Sequence, residues 1–497
     1  MGDSKTIDLK NTEISTETVE KDKKFVYKAE ERRLRFGKKS WTDLLIILCS
    51  GFALISDGYQ NNVLSMTNQV LTQEFPKNYT ADMKTNVSNA ALITTIFGQV
   101  AIGISADYIG RKNCIIIATI FLIVGTCMCA ASHGKTIDGL LWMLIVSRGV
   151  TGFGIGAEYP SCSVSANEAA NNLKRRGTTF VLVTNLPLSL GGPFALIIFL
   201  IVYQITKSYE GIWRTMFAIG AFWPLSVFYF RMKMATSDLY RKSAIQHQVI
   251  PYWLAVKYYW PRLIGTCVTW FLYDFVTFPN GIFSAGIISN VLSEKDATNL
   301  EKIAEWNLLL GALAIPGCFI GAFLCEKIGR KYTLMTGFGG YLVFGLIVGC
   351  GYDKIKGITA LFIVFYGLMQ SSGNLGPGDM LGLISSESFA TPVRGTFYGF
   401  SAAIGKVGAV VGTKTFTPIQ NNLGKKWTFI IAAICGIVGV VVAFFFVPHL
   451  QDEDLLEEDI KFKNYLIENG WTGHFGNGEA VEQDYASDED SVEKINV

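Results

Sequence analysis

Apolar blocks of about twenty residues recur along most of this chain, each long enough to cross a bilayer core as a helix. Twelve such blocks can be placed, centred near Gly51, Phe97, Ile123, Gly152, Leu190, Phe222, Phe275, Ala314, Phe344, Tyr366, Val407 and Gly436. The chain therefore reads as an all-α membrane protein, and its 497 residues give no domain count of the soluble kind. The near-zero net charge of +2 hides a segregation. Apolar blocks hold few charges, the short loops are basic, and the tail after Pro448 is acidic. The first 40 residues are polar and charged, so no cleavable signal peptide is expected. The cysteines fall almost entirely inside apolar blocks (Cys114, Cys127, Cys318, Cys435) without a CxxC pair, and read as small buried hydrophobes. The histidines are scattered and none falls mid-block, which argues against a metal-dependent hydrolase. No metal, cofactor or nucleic-acid partner is expected.

The loops assign a sidedness. "ADYIGRKN", "NNLKRRG", "CEKIGRKY" and the leading "EERRLRFGKK" all fall on one side, and Lys and Arg prefer the cytoplasm. Both termini are then cytoplasmic. The opposite side carries the sequons at Asn78 and Asn86, of which Asn78 stands clear of the second helix and is the better glycan acceptor.

The chain also repeats itself. "GISADYIGRK" and "GAFLCEKIGRK" share an acid followed by Gly-Arg-Lys at an offset of 330 − 111 = 219 residues. "NEAANNLKRRG" and "SESFATPVRG" end at Gly177 and Gly395, an offset of 218. Two echoes at one offset predict two six-helix halves, an architecture in which substrate binds midway between them. The expected division is a cytoplasmic segment 1–40, a first half 41–231, a linker 232–262, a second half 263–447 and an acidic tail 448–497. In the repeated loop, Asp107 can pair with Arg111 or with a helix end and hold a cytoplasmic gate shut, with Glu326 and Arg330 in the same places of the second half. The plainer reading is positive-inside charge around a Gly turn.

An ionisable group at bilayer depth costs about 2.5–3.5 kcal/mol on insertion scales, so each marks a functional hypothesis. Six stand out: Asp57, Arg148, Glu158, Asp274, Asp379 and Lys406. Lys406 is flanked by Gly405 and Gly408, which permit close approach, and a buried ammonium is a point charge for a phosphate. Otherwise it is the structural partner of Asp274 or Asp379. Lys414 is expected to snorkel to the outer surface. Trp270, Asp274 and Phe278 recur every four residues and share one helix face. That stripe offers an acceptor between flat walls, or else a counter-ion for Lys406. Arg148 needs an anion, and Asp57 is the natural candidate, either as a proton-coupling pair or as a static bridge. Glu158 and Tyr159 present a carboxyl and a phenol just ahead of Pro160. Asn185 and Pro187 are expected to face the cavity, as is Gln99.

These residues resemble the phosphate:proton symporter branch of the major facilitator superfamily. "GAEYP", the Trp270/Asp274 spacing and "SSESFATPVRGTFYGFSAAIGKVGA" carry the likeness. The chain is more similar still to the yeast glycerophosphoinositol permeases, through "GFALISDGY", "TWFLYDFVTFPNGIFS", "AEWNLLLG", "LGPGDMLGLISSES" and "NYLIENGWTG", from about residue 25 to 475. The resemblance implies proton-coupled uptake of glycerophosphodiesters across a fungal plasma membrane. It puts phosphate-site roles on Glu158, Tyr159, Trp270, Asp274 and Lys406, and a first-helix acid at Asp57. Where phosphate carriers have Asp, Tyr and Gly-Pro-Asn, this chain has Glu158, Phe278 and Gly376-Pro377-Gly378. The smaller groups enlarge the cavity, and Asp379 adds an acceptor for sugar-like hydroxyls.

The reading is thus a monomeric symporter, not an enzyme, that imports glycerophosphoinositol with protons. Lys406 and Tyr159 bind phosphate, with Trp270, Asp274 and Asp379 around the polyol; Glu158, Asn185 and Phe278 complete the substrate-binding set; Asp57, Arg148, Glu158 and Asp274 couple protons. Glycerophosphocholine and inorganic phosphate are the alternative substrates. A non-transporting nutrient receptor is the alternative class.

Overall fold

The computed structural model describes residues 41–170, 175–233, 250–450 and 455–472. The N-terminal segment 1–40, most of the expected linker and the tail beyond 472 lie outside the described residues. The packing below concerns residues from Leu45 onward.

Among the described residues twelve helical passes follow one another, and each of the twelve expected centres lies in its own pass. They are α1 (Trp41–Glu74), α2 (Ala81–Tyr108), α3 (Arg111–Ala130) and α4, built from Ile137–Glu158, a π-helical turn Tyr159–Ser163 and Val164–Ala170. Then come α5 (Arg176–Val183 and Asn185–Ile205) and α6 (Tyr209–Gly220 and Phe222–Lys233). The second half opens with α7 (Tyr252–Ile282 and Ser284–Ser289), α8 (Leu300–Lys327) and α9 (Gly329–Ile355). It continues with α10 (Thr359–Gly373, a π turn Asn374–Gly378, and Asp379–Glu387), α11 (Thr391–Leu423) and α12 (Trp427–Phe446). A further helix, α13 (Leu455–Glu468), follows.

Local chemistry sets the ends of these passes. Thr80, Thr136, Ser208 and Asn299 cap α2, α4, α6 and α8 by accepting from backbone N–H groups of the first turn. The four caps share the end opposite the basic loops. At the basic end, Gly110 and Gly329 hold φ of 90° and 82°, a region that only glycine enters without strain. They are 329 − 110 = 219 residues apart, so the repeat extends to backbone conformation.

Seven helices among the described residues are long and apolar enough to cross a membrane by length and composition. Of the other five passes, α1, α7, α10 and α11 carry polar residues that line the central cavity, as parts of α4, α5 and α8 also do. Phe97, Ile205 and Phe445 stay more than 60% exposed on the outward faces, as lipid-facing side chains do. Cys127 lies on such an exposed face, unlike the buried Cys114, Cys318 and Cys435. Between the halves, α2 runs along α11 and α5 along α8, and the two crossings repeat one another. A side chain at Gly399 would sit 2.3 Å from the Gln99 carbonyl oxygen, so α2 and α11 meet only where the residue is small.

Two expected boundaries move. Residues 252–262, read as linker because of their charges and aromatics, are the first turns of α7. The acidic run after Pro448, expected to be solvated tail, contains α13 instead. Its apolar edge, Phe462 and Leu466, is buried with Tyr259, Phe389 and Phe397.

Candidate substrate and coupling site

A cavity of about 220 Å³ lies between the halves, lined from α1, α4, α5, α7, α8, α10 and α11. Lys406 and Asp274 meet at one end of it. The Lys406 Nζ donates to Asp274 Oδ2 at 2.6 Å, and both side chains are 2% exposed. The ammonium also stands 4.2 Å from the centre of the Phe278 ring and 5.2 Å from that of Tyr159. Gly405 makes this possible: a side chain there would meet Trp270 at 2.3 Å and Asp274 Oδ2 at 3.0 Å. Trp270 in turn packs edge-on against Tyr398, with ring centres 5.5 Å apart. Among the lining residues, Lys406 and Asp274 are the only members of a charged residue type.

Behind Tyr159 lies a second charged group, sealed from the cavity. Glu158 ends the regular part of α4, and the π turn carrying Pro160 aims Tyr159 at the cavity and Glu158 away from it. Glu158 Oε1 accepts from Arg231 Nη1 at 2.5 Å, with both side chains wholly buried. Arg231 also donates to Thr119. Asp57 faces Glu158, with the charges of Arg231 and Lys406 nearby, and neither Asp57 oxygen accepts a hydrogen bond from a donor group. Counting both groups, three acids (Asp57, Glu158, Asp274) stand against two cations (Arg231, Lys406).

The expected Asp57–Arg148 pair does not form. Arg148 is buried elsewhere on α4, where it donates to the Gln60 backbone carbonyl at 3.3 Å and stands 5.9 Å from the Phe217 ring. The cation that Asp57 sees is Arg231, which the sequence reading placed at the edge of the linker. Asp379 does not line the cavity either. It sits behind Asn185, accepting from its Nδ2 at 2.5 Å, with its other oxygen held against Gly321. Asn185 is the residue that reaches the cavity, and Phe278 lines it as well. Pro187 and Gln99 are not among the lining residues, and Lys414 is exposed. Gly378 faces the cavity; a side chain there would meet the Tyr273 hydroxyl at 2.9 Å.

At the basic end, the two halves close on each other through a duplicated network. Asp107 accepts from the backbone N–H of Gly395 (3.0 Å) and of Thr396 (2.7 Å), and from the Thr396 hydroxyl (2.7 Å). It also pairs with Arg111 at 2.6 Å, so both predicted partners, arginine and helix end, are taken together. Arg111 and Arg394 share Glu168, at 3.3 and 3.2 Å. In the second half, Glu326 accepts from the backbone N–H of Thr178 at 2.9 Å, across the interface. Arg330 and Arg176 share Glu387, at 3.2 and 2.7 Å. Glu326 and Arg330 thus serve one contact by separate routes, Glu326 through Thr178 and Arg330 through Glu387. Glu168, Arg176, Glu387 and Arg394 were missed as functional residues, although all four lie in the segments that revealed the repeat. From α13, Asp459 accepts from the Thr391 backbone N–H at 2.6 Å and adds to the same closure.

A polar cavity between two pseudo-symmetric six-helix halves, closed at one end by bonds that cross between them, defines a membrane carrier of the major facilitator fold. The comparisons agree. The family model for sugar (and other) transporters matches residues 43–462, and the chain belongs to that family. It is 70% identical to glycerophosphoinositol permease 1 of Candida albicans, over 94% of this chain and 91% of that one. It is 59% identical to glycerophosphoinositol transporter 1 of Saccharomyces cerevisiae, over 92% and 89%. The solved proton:xylose symporter XylE superposes with a TM-score of 0.69 at 17% identity, covering 86% of this chain and all of XylE. The protein is a transporter and not an enzyme.

Proposed function

We propose that this carrier imports glycerophosphodiesters with protons, glycerophosphoinositol first among them, by alternating access. The observation that carries the reading is the Lys406–Asp274 ion pair inside the cavity, the one place where an anionic substrate can displace a protein carboxylate. The names of the 70% and 59% identical relatives support the substrate.

Substrate phosphate takes Lys406, with the Tyr159 hydroxyl as second donor. Asp274 then loses its cation in a buried position, where an unpaired charge is strongly disfavoured, and takes up a proton. Binding of the anion and of the proton are coupled through one counter-ion exchange. The Asp57–Glu158 pair against Arg231 is a second proton place. A phosphodiester carries one negative charge, and moving it against 100 mV costs about 2.3 kcal/mol. One proton makes uptake electroneutral; two let the membrane potential drive it.

The basic loops support a cytoplasmic closed end with both termini on that side, and the permease names of the relatives support a plasma membrane. The halves α1–α6 and α7–α12 rock as units, in a monomer, and Asn78 carries a glycan on the outer side. The test is uptake of labelled glycerophosphoinositol into proteoliposomes holding the purified chain, under an imposed inward proton gradient. Accumulation above the external concentration that collapses with a protonophore is expected. Equilibration without accumulation would overturn the coupling, and no uptake would overturn the substrate.

A further inference from the structure

The two ends of the cavity differ in chemistry. Around Lys406 the walls are aromatic (Tyr159, Trp270, Phe278, Tyr398). The other end is neutral and amide-rich, with Asn61, Asn62 and Ser65 from α1 facing Ser284 and Asn307 from the second half. Two of these amides are already oriented by the protein. Asn62 Nδ2 donates to the Gly58 carbonyl at 2.8 Å, and Asn307 Nδ2 donates to the Ser65 hydroxyl at 3.1 Å. In both, an N–H is committed, and no hydrogen bond among the described residues ends on the side-chain carbonyl oxygen. That end of the cavity therefore presents fixed acceptors.

We propose that Asn62 and Asn307 form a polyol subsite, whose carbonyl oxygens accept hydrogen bonds from the ring hydroxyls of the substrate headgroup. This rests on the glycerophosphodiester reading above. Spacing supports it. A Cβ on Gly281 would lie 3.9 Å from Asn62 Oδ1. Gly281 is seven residues beyond Asp274 on α7, roughly 10 Å along the axis. A phosphodiester held at Lys406 spans that gap with a six-membered polyol ring.

Polarity supports it too. Hydroxyls donate to carbonyl oxygens, whereas a trimethylammonium group has no N–H or O–H to give and leaves both acceptors unmet. Nor does a choline headgroup find its usual partners. The cavity's one carboxylate, Asp274, stands beside Lys406 at the phosphate end and is protonated once the substrate takes Lys406, and Asp379 is turned away behind Asn185. The aromatic walls belong to the phosphate end. Lys406, the one cation among the lining residues, keeps the phosphate at the aromatic end, which fixes the direction in which the substrate lies.

The experiment measures binding of glycerophosphoinositol, glycerophosphocholine and glycerol 3-phosphate to the purified full chain by calorimetry. It compares the unaltered protein with Asn62→Leu, Asn307→Leu and Lys406→Ala. Each leucine variant is expected to weaken glycerophosphoinositol about tenfold, since one acceptor is lost, while glycerol 3-phosphate stays within about twofold. Retained glycerol 3-phosphate binding also reports that the variant is folded. Unchanged glycerophosphoinositol affinity, or parallel loss of both ligands, overturns the subsite. A Lys406→Ala variant that binds all three ligands like the unaltered chain overturns the phosphate assignment itself, and the subsite with it.

Discussion

Replacing Asp107 by alanine tests whether the basic-end network holds the carrier closed. Asp107 accepts three hydrogen bonds from Gly395 and Thr396 at the start of α11, all crossing between the halves. In the closed state the alanine leaves those donors unmet; once the end opens, water meets them. Three bonds at about 1 kcal/mol each give about 3 kcal/mol, a shift of roughly 10²-fold toward the open state. Arg111 loses its pair with Asp107 but keeps Glu168, and the Asp107–Arg111 pair lies within one half, so the bonds lost across the interface are the three to α11. Hydrogen exchange of the peptide covering residues 391–400 reads the opening through the Gly395 and Thr396 amides, which Asp107 holds only when the end is shut. Exchange is expected to accelerate by about two orders of magnitude. Glu326→Ala, which removes one backbone bond and a weaker hydroxyl contact at Thr178, is expected to do less. Equal exchange in Asp107→Ala and the unaltered chain would refute the reasoning, as would a larger effect from Glu326→Ala.

Three other outcomes are expected. Asp274→Asn leaves Lys406 without a competing carboxylate, so ligand affinity is retained or increased while gradient-driven accumulation falls at least tenfold; undiminished accumulation would exclude Asp274 from coupling. Arg231→Ala strips the cation from Glu158 and Asp57 and costs about 3–5 kcal/mol, read as a lower Tm in detergent; adding Glu158→Gln recovers part of the loss, because the stranded charge is gone. Asn78→Gln abolishes the mobility shift caused by endoglycosidase in material from a glycosylating host, whereas Asn86→Gln does not, because Asn86 lies within α2.

The twelve passes and the twofold repeat were legible because lipid forces each pass to be written as an apolar run and duplication writes it twice. Gly110 and Gly329 could be read for the same reason, since a left-handed turn demands glycine in both copies. The sequence could also narrow Lys406 to two acid partners, of which the fold selects Asp274. Side-chain direction was not legible. Glu158 and Tyr159 are neighbours, yet the π turn sends one to the cavity and the other into a sealed ion pair. Asp379 sits in the right segment, but the turn before it rotates the carboxylate behind Asn185. Arg231 was hidden by its surroundings: a basic residue beside a basic linker reads as loop charge until the fold packs α6 on α3, where it reaches Thr119 and the Glu158 carboxylate of α4. Glu168 and Glu387 were visible as text, 387 − 168 = 219 residues apart, but only packing gives each of them two arginines.

The crossed caps at the basic end carry a consequence for inheritance. Asp107 serves the helix that begins at Thr391, and Glu326 serves the one that begins at Arg176, so each copy of the ancestral unit keeps its counterpart in order rather than itself. Neither half can then drift alone. A change at Asp107 alters selection on Thr396, 289 positions downstream, and two genes that recombine between the halves must agree at both crossings to yield a working offspring.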